Sequence, residues 1–129
     1  MNLCEIVNHS ANNVSFRLNR NFFRNEISPD ISANTCKKSL ELVIDGLITH
    51  ATLNSTDKAI RIFAKKYHNL ILVQVKYNDA NLEAANSSSL QIIKPIAEAL
   101  GGCLYITHSS IKETTLSFTY LDGGIKLTA

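Results

Sequence analysis

The spacing of apolar residues along the chain predicts three helices. Apolar side chains recur at intervals of three and four residues, which is the repeat of a helix with one buried face. This repeat occurs in three segments: Leu3 to Leu18, Thr35 to Ala51, and Leu90 to Leu100. Two glycines follow the third segment, and glycine is a common residue at the end of a helix.

Other segments alternate apolar and polar residues, which predicts strands. They are Phe22 to Ile27, Ile60 to Ala64, Leu70 to Tyr77, Leu104 to Thr107, and Thr115 to Leu121. The run from Leu70 to Val73 is apolar on both faces, which is typical of a central, covered strand. The order of the elements predicts a two-layer α/β sandwich, with a mixed, mostly antiparallel sheet covered on one face by about three helices.

The length of 129 residues indicates one domain rather than two. We expect residues 1–121 to form this single domain and residues 122–129 to be a C-terminal tail. No apolar run approaches the ~20 residues that a membrane span needs, so we expect no membrane insertion. The three cysteines are odd in number and widely separated, which predicts neither a disulfide framework nor a zinc site and favours the reducing cytoplasm.

A net charge of +2 is too small to predict a nucleic-acid-binding protein. The basic residues Arg17, Arg20 and Arg24 are nevertheless close together in the sequence, and are the candidates for contact with an acidic protein partner. Five glycines are few for a protein that wraps a nucleotide in loops, because glycine permits close approach of backbone to phosphate.

Two longer segments carry a resemblance to a known family. They are ELVIDGL at residues 41–47 and LQIIKPIAEALGG at residues 90–102. The opening NLCEIV and the closing TTLSFTYL are similar to the corresponding segments of the same family. Together they resemble the ATP-binding domain of sensor histidine kinases, a Bergerat-type (GHKL) ATPase. The resemblance spans residues 2–121 and implies the sandwich fold, the cytoplasm or the cytoplasmic part of an inner-membrane protein, and two-component signalling.

The residues that bind nucleotide in this family are mostly replaced. In the family's first box a Glu and an Asn one turn later hold magnesium, whereas this chain has Glu41 and Asp45. Aspartate also ligates Mg²⁺, so that change is tolerable. In the second box the adenine-binding Asp is aligned with Tyr77, which cannot supply the same acceptor geometry, and the glycines after it are absent.

The third box, glycine-rich in the family, corresponds to Ser87, Ser88, Ser89 and Leu90. Side chains on such a loop restrict the approach of its backbone amides to phosphate. Between the second and third boxes the family has a lid that folds over the nucleotide, whereas this chain has only Leu82 to Asn86. At a reach of at most ~3.5 Å per residue, a segment this short cannot close over a triphosphate. The resemblance thus implies a vestigial pocket of six residues: Glu41, Asp45, Tyr77, Asp79, Ser87 and Ser89.

The resemblance and the replaced residues together predict a non-catalytic interaction or scaffold domain with no cofactor and no metal, and the resemblance implies a bacterial phosphorelay with a response regulator as partner. One alternative is an active module in which Asp79 moves by two residues into the adenine-binding role while Glu41 and Asp45 hold Mg²⁺. Another is a regulatory binder of the anti-sigma kind on the same fold. The adjacent Ile92 and Ile93 are both expected in the core.

Overall fold

A computed structural model describes residues 2–18, 23–55, 60–78, 88–108 and 113–123. Its three helices are α1 (Leu3–Leu18), α2 (Lys37–Asn54) and α3 (Ser88–Ala99). Its five strands are β1 (Phe23–Asn25), β2 (Ile60–Tyr67), β3 (Leu70–Asn78), β4 (Leu104–His108) and β5 (Glu113–Leu121). Each of these elements overlaps a segment predicted from the periodicity of the sequence, and α3 continues through Pro95.

The strands form one mixed sheet in the order β1-β2-β3-β5-β4. The β1–β2 pair is parallel, and every other pair is antiparallel. The predicted central position of β3 is confirmed. Its side chains alternate between buried and half-buried, because helices cover one face of the sheet only.

The core lies between the sheet and the helices, with α2 packed against both α1 and α3. Alternate residues of β3 and β5 point into it, and its largest fully buried side chains are aromatic: Tyr77, Phe118 and Tyr120. Phe118 and Tyr120 stack with 5.7 Å between ring centroids. The predicted α/β sandwich is therefore confirmed.

Asp122, the first residue of the predicted tail, is hydrogen bonded to the body of the domain. Its carboxylate accepts hydrogen bonds from the Ser32 hydroxyl at 2.7 Å and the Asn34 backbone N–H at 3.1 Å, and from Lys66 at 3.2 Å. Burial alone would raise the pKa of this carboxyl, but these donors outweigh burial and hold its pKa below the ordinary value of 3.8. Residues 124–129 lie outside the described residues, and the boundary of the tail stays a prediction.

Replacement of Asp122 by asparagine is expected to lower the free energy of unfolding by about 1–2 kcal/mol at neutral pH, because the charged acceptor is lost. Because the pKa of Asp122 is lower in the folded state, its carboxylate stabilises the fold fully above pH 3.8. This stabilisation disappears as the pH falls through the folded-state pKa. Urea unfolding at several pH values should therefore show the two proteins converging in acid. Asp30→Asn, at an exposed turn, is the matched control, and a constant difference down to the most acidic pH would contradict the assignment.

Candidate functional site

Tyr77 lies at the position where the resemblance places the adenine-binding aspartate, near the end of β3. Strand alternation directs its side chain to the helix-covered face, where it is 2% exposed. There its ring meets the ring of His50 edge to face, with 6.3 Å between the centroids and 76° between the planes. This buried pair occupies the space between α2 and β3 with aromatic surface.

His50 is the residue that the sequence reasoning left out of the site. It is 1% exposed and lies one and two turns after the buried Leu47 and Val43, on the face of α2 that packs on the sheet. That spacing is visible in the sequence and predicts burial of His50. The sequence contains no comparable signal that the histidine ring faces Tyr77, because this contact joins a helix to a strand distant in the chain.

Glu41 and Asp45 lie on the side of α2 that faces α1. The Ser10 hydroxyl of α1 donates a hydrogen bond to the Asp45 carboxylate. Glu41 lines a shallow groove with Glu5, Ile6, His9 and Lys37, and its carboxylate is 3.9 Å from the Lys37 ammonium. Both carboxylates therefore contribute to the contact region between two helices.

The structure does not bring these carboxylates to Tyr77. Asp45 and His50 are five residues apart on α2, which separates their directions by about 140° around the helix axis. His50 points at Tyr77, whereas Asp45 contacts Ser10 of α1 and lines a groove between the helices, so these two described side chains of α2 point in different directions. In the described ranges, no group of three or more His, Cys, Asp or Glu side chains is placed to hold a metal ion.

The remaining predicted pocket residues are described only in part. Asp79 and Ser87 lie outside the described residues. Ser89 is the second residue of α3, and only its backbone is described. These three assignments stay predictions.

Of the three predicted basic contact residues, two are described. Arg17 is exposed near the end of α1, and its guanidinium donates a hydrogen bond to the Thr49 hydroxyl of α2 at 3.3 Å. Arg24 is exposed on β1, and Arg20 lies outside the described residues. Their role as a shared contact surface stays a prediction.

A mostly apolar groove of about 540 Å³ runs between α1, α2 and α3, and the predicted site residue Asp45 is one of the residues that line it. Its two walls carry Phe16, which is 90% exposed, and Ile92, which is 69% exposed. The expectation that Ile92 and Ile93 are both in the core is wrong for Ile92, because α3 is covered only on the side that Ile93 faces, and Ile93 is 6% exposed.

Searches for similar proteins place the fold in a known class. No protein-family model matches the chain, and no curated protein matches it in sequence. The chain has the α/β sandwich of histidine kinase ATPase domains, with a five-stranded mixed sheet and three helices.

Three solved structures illustrate this likeness. The catalytic domain of histidine kinase ThkA, in a nucleotide-free form, matches with a TM-score of 0.77 at 15% identity over 97% of each chain. The mycobacterial sensor histidine kinase MprB matches with a TM-score of 0.74 at 10% identity, again over 97% of each chain. Histidine kinase AdeS of Acinetobacter baumannii matches with a TM-score of 0.72 at 12% identity, over 96% of this chain and 66% of that one.

Proposed function

We propose that this chain is a non-catalytic histidine-kinase-type domain that binds a response regulator in a bacterial two-component phosphorelay. The observation that carries the proposal is the burial of Tyr77 against His50. In the resembled family this position holds the aspartate that accepts a hydrogen bond from the adenine amino group. Here a fully packed aromatic side chain takes the place of that acceptor.

The chemistry of the Tyr77 site is unsuited to adenine. A phenol ring is larger than a carboxylate, and at 2% exposure it already packs against protein on nearly every side. A base could enter only by displacing the ring from His50 and exposing its apolar surface to water. Such an exchange costs about 1.5–3 kcal/mol for one large apolar side chain before any contact with the base forms.

The carboxylates that would hold Mg²⁺ have partners within the domain. Asp45 accepts a hydrogen bond from Ser10, and Glu41 lies beside Lys37 on the same outer side of α2. A magnesium ion that bridges phosphate oxygens needs its carboxylate on the nucleotide side of the helix. The separate directions of Asp45 and Tyr77 therefore support a domain that does not process ATP.

If the domain does not bind ATP, protein binding is the function that we propose for it. The similar solved structures are histidine kinases, and the resemblance implies response regulators as partners of such proteins. Two large apolar side chains, Phe16 and Ile92, are exposed on one groove, which makes the groove a candidate contact surface for a protein. We place the domain in the cytoplasm, where receiver domains are found. None of the described helices combines the length and the apolar character that crossing a membrane requires.

The partner class can be tested with purified receiver domains from the source organism, each titrated into the domain and followed by calorimetry. Saturable binding of at least one receiver without ATP is expected. Binding of a sigma factor with no receiver bound would favour the anti-sigma alternative and contradict the phosphorelay assignment.

A further inference from the structure

The face of the sheet opposite the helices carries a group of basic side chains around one aromatic ring. Arg61, Phe63 and Lys65 alternate along β2 and therefore point to the same face. Lys76 of β3 lies directly opposite Arg61 in the antiparallel register. We call these four residues the basic sheet patch, and they line a depression of about 330 Å³.

The charges of this patch are unbalanced within the domain. The Arg61 guanidinium is 3.3 Å from the Glu26 carboxylate, and among the described residues Lys65 and Lys76 have no carboxylate within salt-bridge distance. Like charges directly opposite each other on two strands are destabilising. The three cations and the Glu26 carboxylate give this depression a formal charge of +2, which equals the net charge of the whole chain.

The ring of Phe63 holds two of these cations in place. The Arg61 guanidinium carbon lies 4.8 Å from the ring centroid, and the Lys76 ammonium lies 5.4 Å from it. Both distances are within the range of cation–π attraction, which offsets part of the repulsion between the two charges. The two cations therefore lie side by side on the open face of the sheet, where an anionic surface can contact them.

We propose that the basic sheet patch is the docking surface for an acidic protein partner, which the proposed function identifies as a response regulator. Carboxylates of the partner would pair with Lys65 and Lys76, and an apolar part of the partner would pack into the depression beside Phe63. This assignment rests on the proposed function for the identity of the partner, but its location rests on the charges alone. It places the contact on the open sheet face, away from Arg17.

A protein fits this patch better than a nucleic acid. Nucleic-acid affinity grows with the number of phosphates neutralised, and this patch offers three cations, one of them already paired, with Arg24 of β1 beside Arg61 as a fourth on the same face. Base stacking needs a free aromatic face, and the Phe63 ring already has Arg61 and Lys76 against it. A few carboxylates on a folded protein match the number of free cations.

The test is a double charge reversal, Lys65→Glu with Lys76→Glu, assayed against receiver domains, a fluorescein-labelled polyglutamate peptide and a fluorescein-labelled single-stranded DNA. The matched control is Lys37→Glu with Lys38→Glu, which makes the same charge change at exposed positions at the start of α2. Lys76→Glu places a carboxylate opposite Arg61, so the fold should be retained, and circular dichroism with thermal unfolding checks this.

The double reversal is expected to weaken receiver binding by about tenfold or more at low salt, while the control stays within about twofold of the wild type. Receiver binding that survives the double reversal would overturn the patch assignment and leave the proposed function standing. Patch-dependent binding of polyglutamate with no receiver bound would retain the patch and overturn the proposed partner. If single-stranded DNA binds through the patch more tightly than the receiver or the peptide, the proposal of a protein partner is wrong. If none of the three probes binds, both the patch assignment and the proposed function are wrong.

Discussion

Replacement of Gly102 by alanine is expected to destabilise the domain by about 3 kcal/mol or more, since it forces backbone apart in a packed region. A Cβ atom at this position would lie 1.7 Å from the Thr119 carbonyl oxygen and 2.3 Å from its carbon. These are backbone atoms of β5, so no side-chain rotation can relieve the overlap. The strand itself is held there, because the Thr119 N–H donates to the Cys103 carbonyl at 2.9 Å.

Gly123→Ala separates this steric effect from the general cost of replacing a glycine. Gly123 has a φ of +93°, but a Cβ added there meets nothing within 4 Å. Its replacement should cost only about 1–2 kcal/mol of backbone strain. Urea unfolding of the two variants gives the comparison, and equal stability of Gly102→Ala and wild type would show that the segment between α3 and β4 does not approach β5 as described.

Replacement of Tyr77 by alanine is expected to lower the free energy of unfolding by about 3–5 kcal/mol, which is the usual cost of emptying a buried aromatic position. The contact with His50 and the burial of Tyr77 are the reasons. Tyr77→Asp, which restores the residue type of the resembled family, should be at least as destabilising. It places a carboxylate in a site that is 2% exposed and faces an imidazole ring, where an uncompensated charge is costly.

Tyr67→Ala provides the matched control for this prediction. Tyr67 ends β2 and is 52% exposed, so its truncation should change stability by no more than about 0.5 kcal/mol. Thermal and urea unfolding measure both effects. A Tyr77→Asp variant that is as stable as the wild type and also gains Mg-ATP binding would show that position 77 is a nucleotide pocket rather than part of the core.

The elements of this fold could be predicted from local sequence because each has a clear apolar period. The repeat through α1 and the alternation of β3 and β5 depend only on which face is buried, and one covered face of the sheet gives each element a single pattern. The central place of β3 followed from its apolar run. These features needed no knowledge of which elements meet in space.

The candidate site could not be predicted to the same degree because it depends on which elements meet. The period of α2 shows that Asp45 flanks the buried face, but not that α1 supplies Ser10 as its partner. The basic sheet patch depends on strand register. The predicted segments end at Ala64 and begin again at Leu70, whereas β2 continues to Tyr67, and only the two-residue turn of His68 and Asn69 sets Lys76 opposite Arg61.

The measurement that most directly tests the central claim, a retained fold without a nucleotide site, is a calorimetric titration of the domain with Mg-ATP. The account predicts no saturable heat, because it places the buried Tyr77, packed against His50, where the resembled family has its adenine-binding aspartate. Saturable binding at micromolar affinity would contradict it. In that case Asp79→Asn, compared with the wild type, would show whether Asp79 supplies the adenine acceptor.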